Sequence, residues 1–167
     1  GQAQGGAVKM RPVSGPEAIL SGSCSRATLA QIACHARTHP VLEIDVAAVM
    51  NHRLSTDTVV DFARRHAGQK PLFYSSAAPD KVAALQGQYG RDAVAHGLDD
   101  FFAQSAKALV KSGIRRLVVA GGETSGAVVS ALEYKMLALG PEIDPGVPVL
   151  TTYDDVPVAL ALKSGNF

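Results

Sequence analysis

The sequence predicts an α/β fold, a layered and largely parallel sheet with helices on both faces. Three features point to it. From Glu17 onward, short apolar runs alternate with longer stretches of helical period, the pattern of strand–helix–strand units joined by right-handed crossovers. Leu117-Val118-Val119-Ala120 sets four apolar residues in a row, as a strand covered on both faces requires. Twice, a glycine- and serine-bearing loop stands between a strand and a helix, at Ser21–Ser25 and at Gly121–Gly126.

Taken in order, Ala18-Ile19-Leu20 is the first strand. A helix over Arg26–Thr38 follows, with Ala27, Ala30, Ile32, Ala33 and Ala36 near one face, and Pro40 marks its end. Val41–Asp45 is the second strand. The next helix spans Ser55–Ala67, with Ser55 as N-cap and Gly68 just past the end. Pro71–Ser75 is the third strand, and Pro79 opens a short helix, where its fixed φ suits the first turn. Leu98, Phe101, Phe102, Ala106, Leu109 and Val110 share the face of a helix that stops at Gly113. After the strand Leu117–Ala120, a helix is expected from about Ala127 to Leu139. Pro145–Pro148 reads as a turn, and Val149–Tyr153 and Val158–Leu162 complete the strands. Residues 1–16 read as a flexible lead-in or linker, and 17–167 as one domain.

Composition narrows the classes of function. The 167 residues are 47% hydrophobic and 19% charged, with a net charge of +1, an ordinary globular balance able to bury roughly 70% of the unfolded surface. No basic stripe interleaved with aromatics supports nucleic-acid binding. No apolar run approaches the ~20 residues of a membrane span, and Gly1–Gly6 lacks a signal peptide's charged-then-apolar order. Cys24 and Cys34 form no CxxC pair and are expected as reduced thiols in a cytoplasmic protein.

The two loops carry the chemistry. In an open α/β sheet, ligands sit beyond the carboxyl ends of the strands. Glycine lets an anion approach the backbone, and the first turn of the following helix offers unpaired N–H groups and partial positive charge. Thr124 and Ser125 add hydroxyls to this phosphate cradle. Neither a Walker A loop nor a G-x-G-x-x-G fingerprint is present, since Ala127 rather than lysine follows Gly126. Against this stands the plainer role of glycines that merely turn the chain. Glu123 reads first as an acid complementing the helix dipole, and otherwise as a carboxylate facing phosphate through Mg²⁺ or accepting from ribose. Asp99-Asp100 reads as an acidic first turn, and Ser75-Ser76 as a ligand contact or a cap for the Pro79 helix. Asp154-Asp155 reads as a solvated turn. The five histidines show no metal spacing, and no metal ligand is assigned.

Four segments in order resemble the four-carbon acid sugar kinase family: Gly22-Ser-Cys-Ser25, Val119-Ala-Gly-Gly-Glu-Thr-Ser-Gly126, Pro145-Gly-Val-Pro148 and Leu162-Lys-Ser-Gly-Asn-Phe167. Leu72-Phe-Tyr-Ser-Ser76 fits the same group. The resemblance runs from about Glu17 to the end, over the nucleotide-binding C-terminal domain of such kinases. Arg26 departs from it, standing where a proline is expected in many relatives. The resemblance implies an ATP-dependent kinase that converts a 3-oxo-tetronate to its 4-phosphate, using Mg²⁺. It implies nucleotide contacts from Ser23, Ser25, Gly121, Gly122, Glu123, Thr124, Ser125 and Gly165. The sugar contacts and the catalytic base are then expected in an N-terminal domain outside this chain. Competing expectations are a sugar-phosphate-binding domain of isomerase type and a non-enzymatic effector or interaction module. The sequence is compatible with a homodimer and leaves the oligomeric state open.

Overall fold

The structure, a computed structural model, describes residues 13–75, 77–134, 137–153 and 155–164. Among these, seven strands form one sheet, β1 Glu17–Ser21, β2 Val41–Glu43, β3 Leu72–Tyr74, β4 Arg116–Ala120, β5 Leu137–Asp144, β6 Val147–Thr152 and β7 Ala159–Lys163. Six helices connect them, α1 Arg26–Ala36, α2 Val46–Met50, α3 Thr56–Arg65, α4 Pro79–Tyr89, α5 Arg91–Ser112 and α6 Gly122–Leu132. The spatial order is β2-β3-β1-β4-β7-β6-β5. Pairing is parallel from β2 through β7 and antiparallel for β7–β6 and β6–β5. The sheet is therefore mixed, parallel in its larger part with an antiparallel edge.

That edge corrects the expected helix over Ala127–Leu139. The helix begins five residues earlier, at Gly122, and ends at Leu132, with Glu133 left-handed at φ 53°. Leu137–Asp144 pairs with β6 across the turn at Pro145-Gly146, where Gly146 takes φ 78° at little cost. Hydrophobic period could not separate these states, because Leu137 and Leu139 serve a helix or a strand equally well. The Gly121–Gly126 loop contracts with the same correction: Gly121 alone turns the chain, at φ 117°, and the other five residues are helical.

Other boundaries moved less. The second strand stops at Glu43, because Asp45 caps the unpredicted α2 by accepting from Ala47 N at 3.0 Å and Ala48 N at 3.4 Å. Ser55 caps α3 as expected, its Oγ accepting from Asp57 N at 3.1 Å. Pro79 lies in the first turn of α4, but the N-cap is Ala78, with no side-chain cap bond. Asp99 and Asp100 fall in the middle of α5 and not at its start. The 1–12 stretch of the lead-in, Ser76, Asp154 and Gly165 lie outside the described residues.

The core lies between the sheet and a layer of helices gathered on α5, which packs against α2, α3, α4 and α6. Phe102, Ala106 and Leu109 of α5 meet Leu20, Phe73, Leu117, Val119 and Leu160 of the strands. Ile32 of α1 is buried outside this cluster. Phe102 is 1% exposed and sits one turn from Asp99, so it anchors the helix that reaches the site. Phe102→Ala is expected to lower unfolding stability by about 3–5 kcal/mol in urea titration. A loss under about 1 kcal/mol would mean that α5 is held by something else.

Candidate functional site

The sheet order creates a crevice at one place. From β1 the chain crosses to β2 on one side, whereas from β4 it departs toward β7 on the other. Neighbouring parallel strands whose connections leave in opposite directions open a cleft at their carboxyl ends. The exits of β1 and β4 are tied together there, with Gly22 N donating to Ala120 O at 3.0 Å, and Gly121 N bonds Lys163 O at 2.8 Å on the next strand.

Two elements line this crevice. On the β1 side, Ser25 caps α1 and accepts from Thr28 N at 3.2 Å. The hydroxyls of Ser23, Ser25 and Thr28 close a ring with edges of 3.3, 2.9 and 3.2 Å. Lys163 at the end of β7 stands beside this ring, its Nζ donating to Thr28 Oγ1 at 3.4 Å. On the β4 side, Gly122, Glu123 and Thr124 are the first residues of α6, so their amides have no acceptor within the helix. No side chain caps them among the described residues. Ser125 N already bonds Gly121 O at 2.9 Å. A cavity of about 260 Å³ lies between the two sides, lined by Gly22, Ser23, Asp99, Gly121, Gly122 and Thr124 among others.

Each glycine here has its own reason. A Cβ at Gly22 would stand 2.5 Å from Thr124 Oγ1, so the two exits approach this closely only without one. Gly121 needs its positive φ. At Gly122 nothing lies within 4 Å of a Cβ position. That space is open.

The structure thus brings Ser23, Ser25, Gly121, Gly122, Glu123 and Thr124 together, with Ser125 one step deeper. The two expected hydroxyl donors of α6 are turned inward. Thr124 Oγ1 donates to Asp99 Oδ1 at 3.0 Å, and Ser125 Oγ faces Val119 O at 3.5 Å. The donors this side presents are therefore main-chain amides, and Glu123 lies exposed on the rim. Gly165 follows directly on the Lys163-Ser164 exit but is outside the described residues.

A family model described as a nucleotide-binding C-terminal domain matches residues 18–167. The chain belongs to this family. It is 47% identical over 164 residues to the 3-oxo-tetronate kinase of Methylobacterium radiotolerans, covering 97% of this chain and 39% of the relative. To the 3-oxo-tetronate kinase of Burkholderia multivorans it is 43% identical over 165 residues, covering 99% and 39%. Among solved structures it is similar to Haemophilus influenzae protein HI1011, with a TM-score of 0.87 and 32% identity over 96% of this chain and 40% of that one. A Salmonella typhimurium LT2 protein matches with a TM-score of 0.83 and 36% identity, over 93% and 39%. The chain spans about two fifths of the length of the curated relatives it matches.

In this nucleotide-binding domain, two charged residues stand at the crevice that the sequence did not assign to it, Asp99, expected as an acidic first turn, and Lys163. Lys163 carried a signal in ending an apolar strand and in the Leu162–Phe167 segment of the resemblance, with no role assigned to it. Asp99 carried a better one: Ala95, Asp99, Phe102 and Ala106 follow a helical i, i+4, i+7, i+11 stripe, so an acid stands in register with buried residues. Burial pushes its carboxyl above the ordinary value and the Glu123 charge adds to that, while the Thr124 hydrogen bond and His96 pull it down. Because the folded-state pKa is raised, Asp99 favours folding most when protonated, and that contribution is lost as pH rises through the folded-state value. Asp99→Asn keeps an oxygen for Thr124 and removes the desolvated charge. It is expected to raise the melting temperature at pH 7, by a margin that shrinks as pH falls through the carboxylate range. Equal melting curves at neutral pH would refute the desolvation account.

Proposed function

We propose that this chain is the ATP-binding domain of a kinase that phosphorylates a four-carbon acid sugar, converting a 3-oxo-tetronate to its 4-phosphate. The observation that carries the reading is the uncapped start of α6, with three amides at a topological switch point and open space at Gly122. The family match and the 3-oxo-tetronate kinases among the relatives supply the substrate class. The sugar and the catalytic base are assigned to the part of those relatives that this chain does not span. No helix among the described residues is long and apolar enough to cross a membrane, and both cysteines are free and exposed, so a reducing cytoplasmic setting belongs to the same reading.

The chain's own part in phosphoryl transfer is to bind and to position. The amides of Gly122, Glu123 and Thr124 would take phosphate oxygens, with the α6 dipole behind them. Lys163 would bring positive charge from the opposite wall, and Ser23 and Ser25 would add hydroxyls at the mouth of α1. Bound Mg·ATP supplies the phosphoryl group and part of the charge neutralisation. The residues present fit such an ion, since Asp99 and Glu123 place carboxylates at the lip. Mg²⁺ characteristically takes one or two carboxylates and completes its shell with phosphate and water.

Gly122→Ala separates this role from folding. The added methyl meets no neighbour and suits a helix better than glycine, so melting temperature is expected to hold or rise. Mg·ATP affinity is expected to fall at least about tenfold, near 1.4 kcal/mol, by isothermal titration. Lys163→Met is expected to weaken the same binding by about 1.5–3 kcal/mol. Folded parent protein that gives no heat with millimolar Mg·ATP, or is stabilised more by a sugar phosphate, would overturn the kinase assignment.

A further inference from the structure

A second pocket, of about 330 Å³, opens at the carboxyl ends of β2 and β3, among Glu43, Asp45, Ser75, Lys81, Val46 and Leu85. Ser75 is 7% exposed, and its Oγ has no hydrogen-bond partner among the described residues. Its amide is already used, donating to Ser21 O at 3.1 Å. A buried hydroxyl without a partner is uncommon in a folded protein, because it has given up water for nothing. One that lines a pocket awaits a partner there.

The surrounding charge says what kind. Lys81 Nζ holds Glu43 Oε1 at 2.8 Å, and Asp45 is committed to the α2 amides. Two carboxylates against one ammonium leave the pocket with a net charge of −1. The Glu43 charge is also felt by the neighbouring Tyr74, whose phenol is raised first by burial and next by that carboxylate. An anionic acid sugar would be repelled here. A neutral group rich in hydroxyls would not, since Glu43 can accept from two adjacent hydroxyls while Ser75 and Lys81 donate.

Position then connects this pocket to the cradle. Ile44 N bonds Tyr74 O at 2.7 Å and Ser75 N bonds Ser21 O, so Ser75 at the β3 exit lies two strand spacings, about 10 Å, and Glu43 at the β2 exit three, about 14 Å, from the β4 exit that opens the cradle. A carboxylate at a strand end on the same sheet margin as a phosphate loop is placed for the ribose of an extended ligand that reaches across that margin.

We propose that the pocket formed by Glu43, Ser75 and Lys81 is the ribose subsite of the nucleotide whose phosphates occupy the Gly122–Thr124 cradle. This rests on the nucleotide-binding reading above. The test is calorimetric titration of parent, Ser75→Ala and Glu43→Ala proteins with Mg·ATP, its 2′,3′-dideoxy analogue and Mg·tripolyphosphate. Ser75→Ala removes only an unpartnered hydroxyl, so it should melt at or above the parent temperature and guards against misreading an unfolded variant. Both variants are expected to bind Mg·ATP about fivefold to tenfold more weakly while keeping tripolyphosphate within about twofold. The dideoxy analogue should bind the parent weakly and be indifferent to Glu43→Ala. Variants that bind Mg·ATP like the parent, or lose tripolyphosphate in equal measure, overturn the ribose subsite alone. A parent that binds neither ATP nor tripolyphosphate overturns the cradle, and the subsite with it.

Discussion

The exits of β1 and β4 meet at main-chain distance, with Gly22 N on Ala120 O at 3.0 Å and Thr124 Oγ1 filling the place where a Gly22 side chain would stand. Everything at the crevice follows from that approach. It brings the start of α1, with its ring of serine and threonine hydroxyls, against the start of α6, with its uncapped amides. A side chain at Gly22 would drive Thr124 away, break its bond to Asp99, and tilt the first turn of α6. The parallel register of β1 on β4, from Glu17↔Arg116 to Ser21↔Ala120, sets the two exits level. The core residues Leu20 and Val119 in those strands keep that register from slipping.

Electrostatics at the crevice are divided between its walls. Lys163 stands near the hydroxyl ring, while Asp99 and Glu123 stand on the α6 side. An anion held by the α6 amides would therefore lie between a cation and two carboxylates. Asp99 spends one oxygen on accepting from Thr124, which commits that hydroxyl's proton within the cavity wall and leaves donation to the backbone. Main-chain donors are rigid and lose little freedom on binding, so a cradle made of them is organised before its ligand arrives.

The row of hydrogen bonds along the carboxyl edge, from Ile44 through Ser75 and Gly22 to Gly121, joins both pockets to one rigid sheet margin. The two pockets differ in kind. One offers amides and a lysine to an anion, and the other offers an ion pair and a buried hydroxyl to a neutral polar group. One extended ligand with a charged and an uncharged end matches that division better than two copies of one small ligand.

Local sequence determined most of the parallel half, because its strands are apolar runs that only a covered sheet tolerates and its helices carry their own caps at Ser25 and Ser55. The positions of the two glycine junctions were legible for the same reason, since each falls between an apolar strand run and a helix. Tertiary structure decided the rest. Leu137–Asp144 became a strand because β6 offered it an edge, which outweighs a local period that suits a helix. Asp99 joined the crevice because α5 is one continuous helix of 22 residues, long enough to carry a mid-helix acid to a junction 25 positions away in the chain. Which hydroxyls face a ligand and which face the protein depends on neighbours brought in by folding, and spacing along the chain holds no record of them.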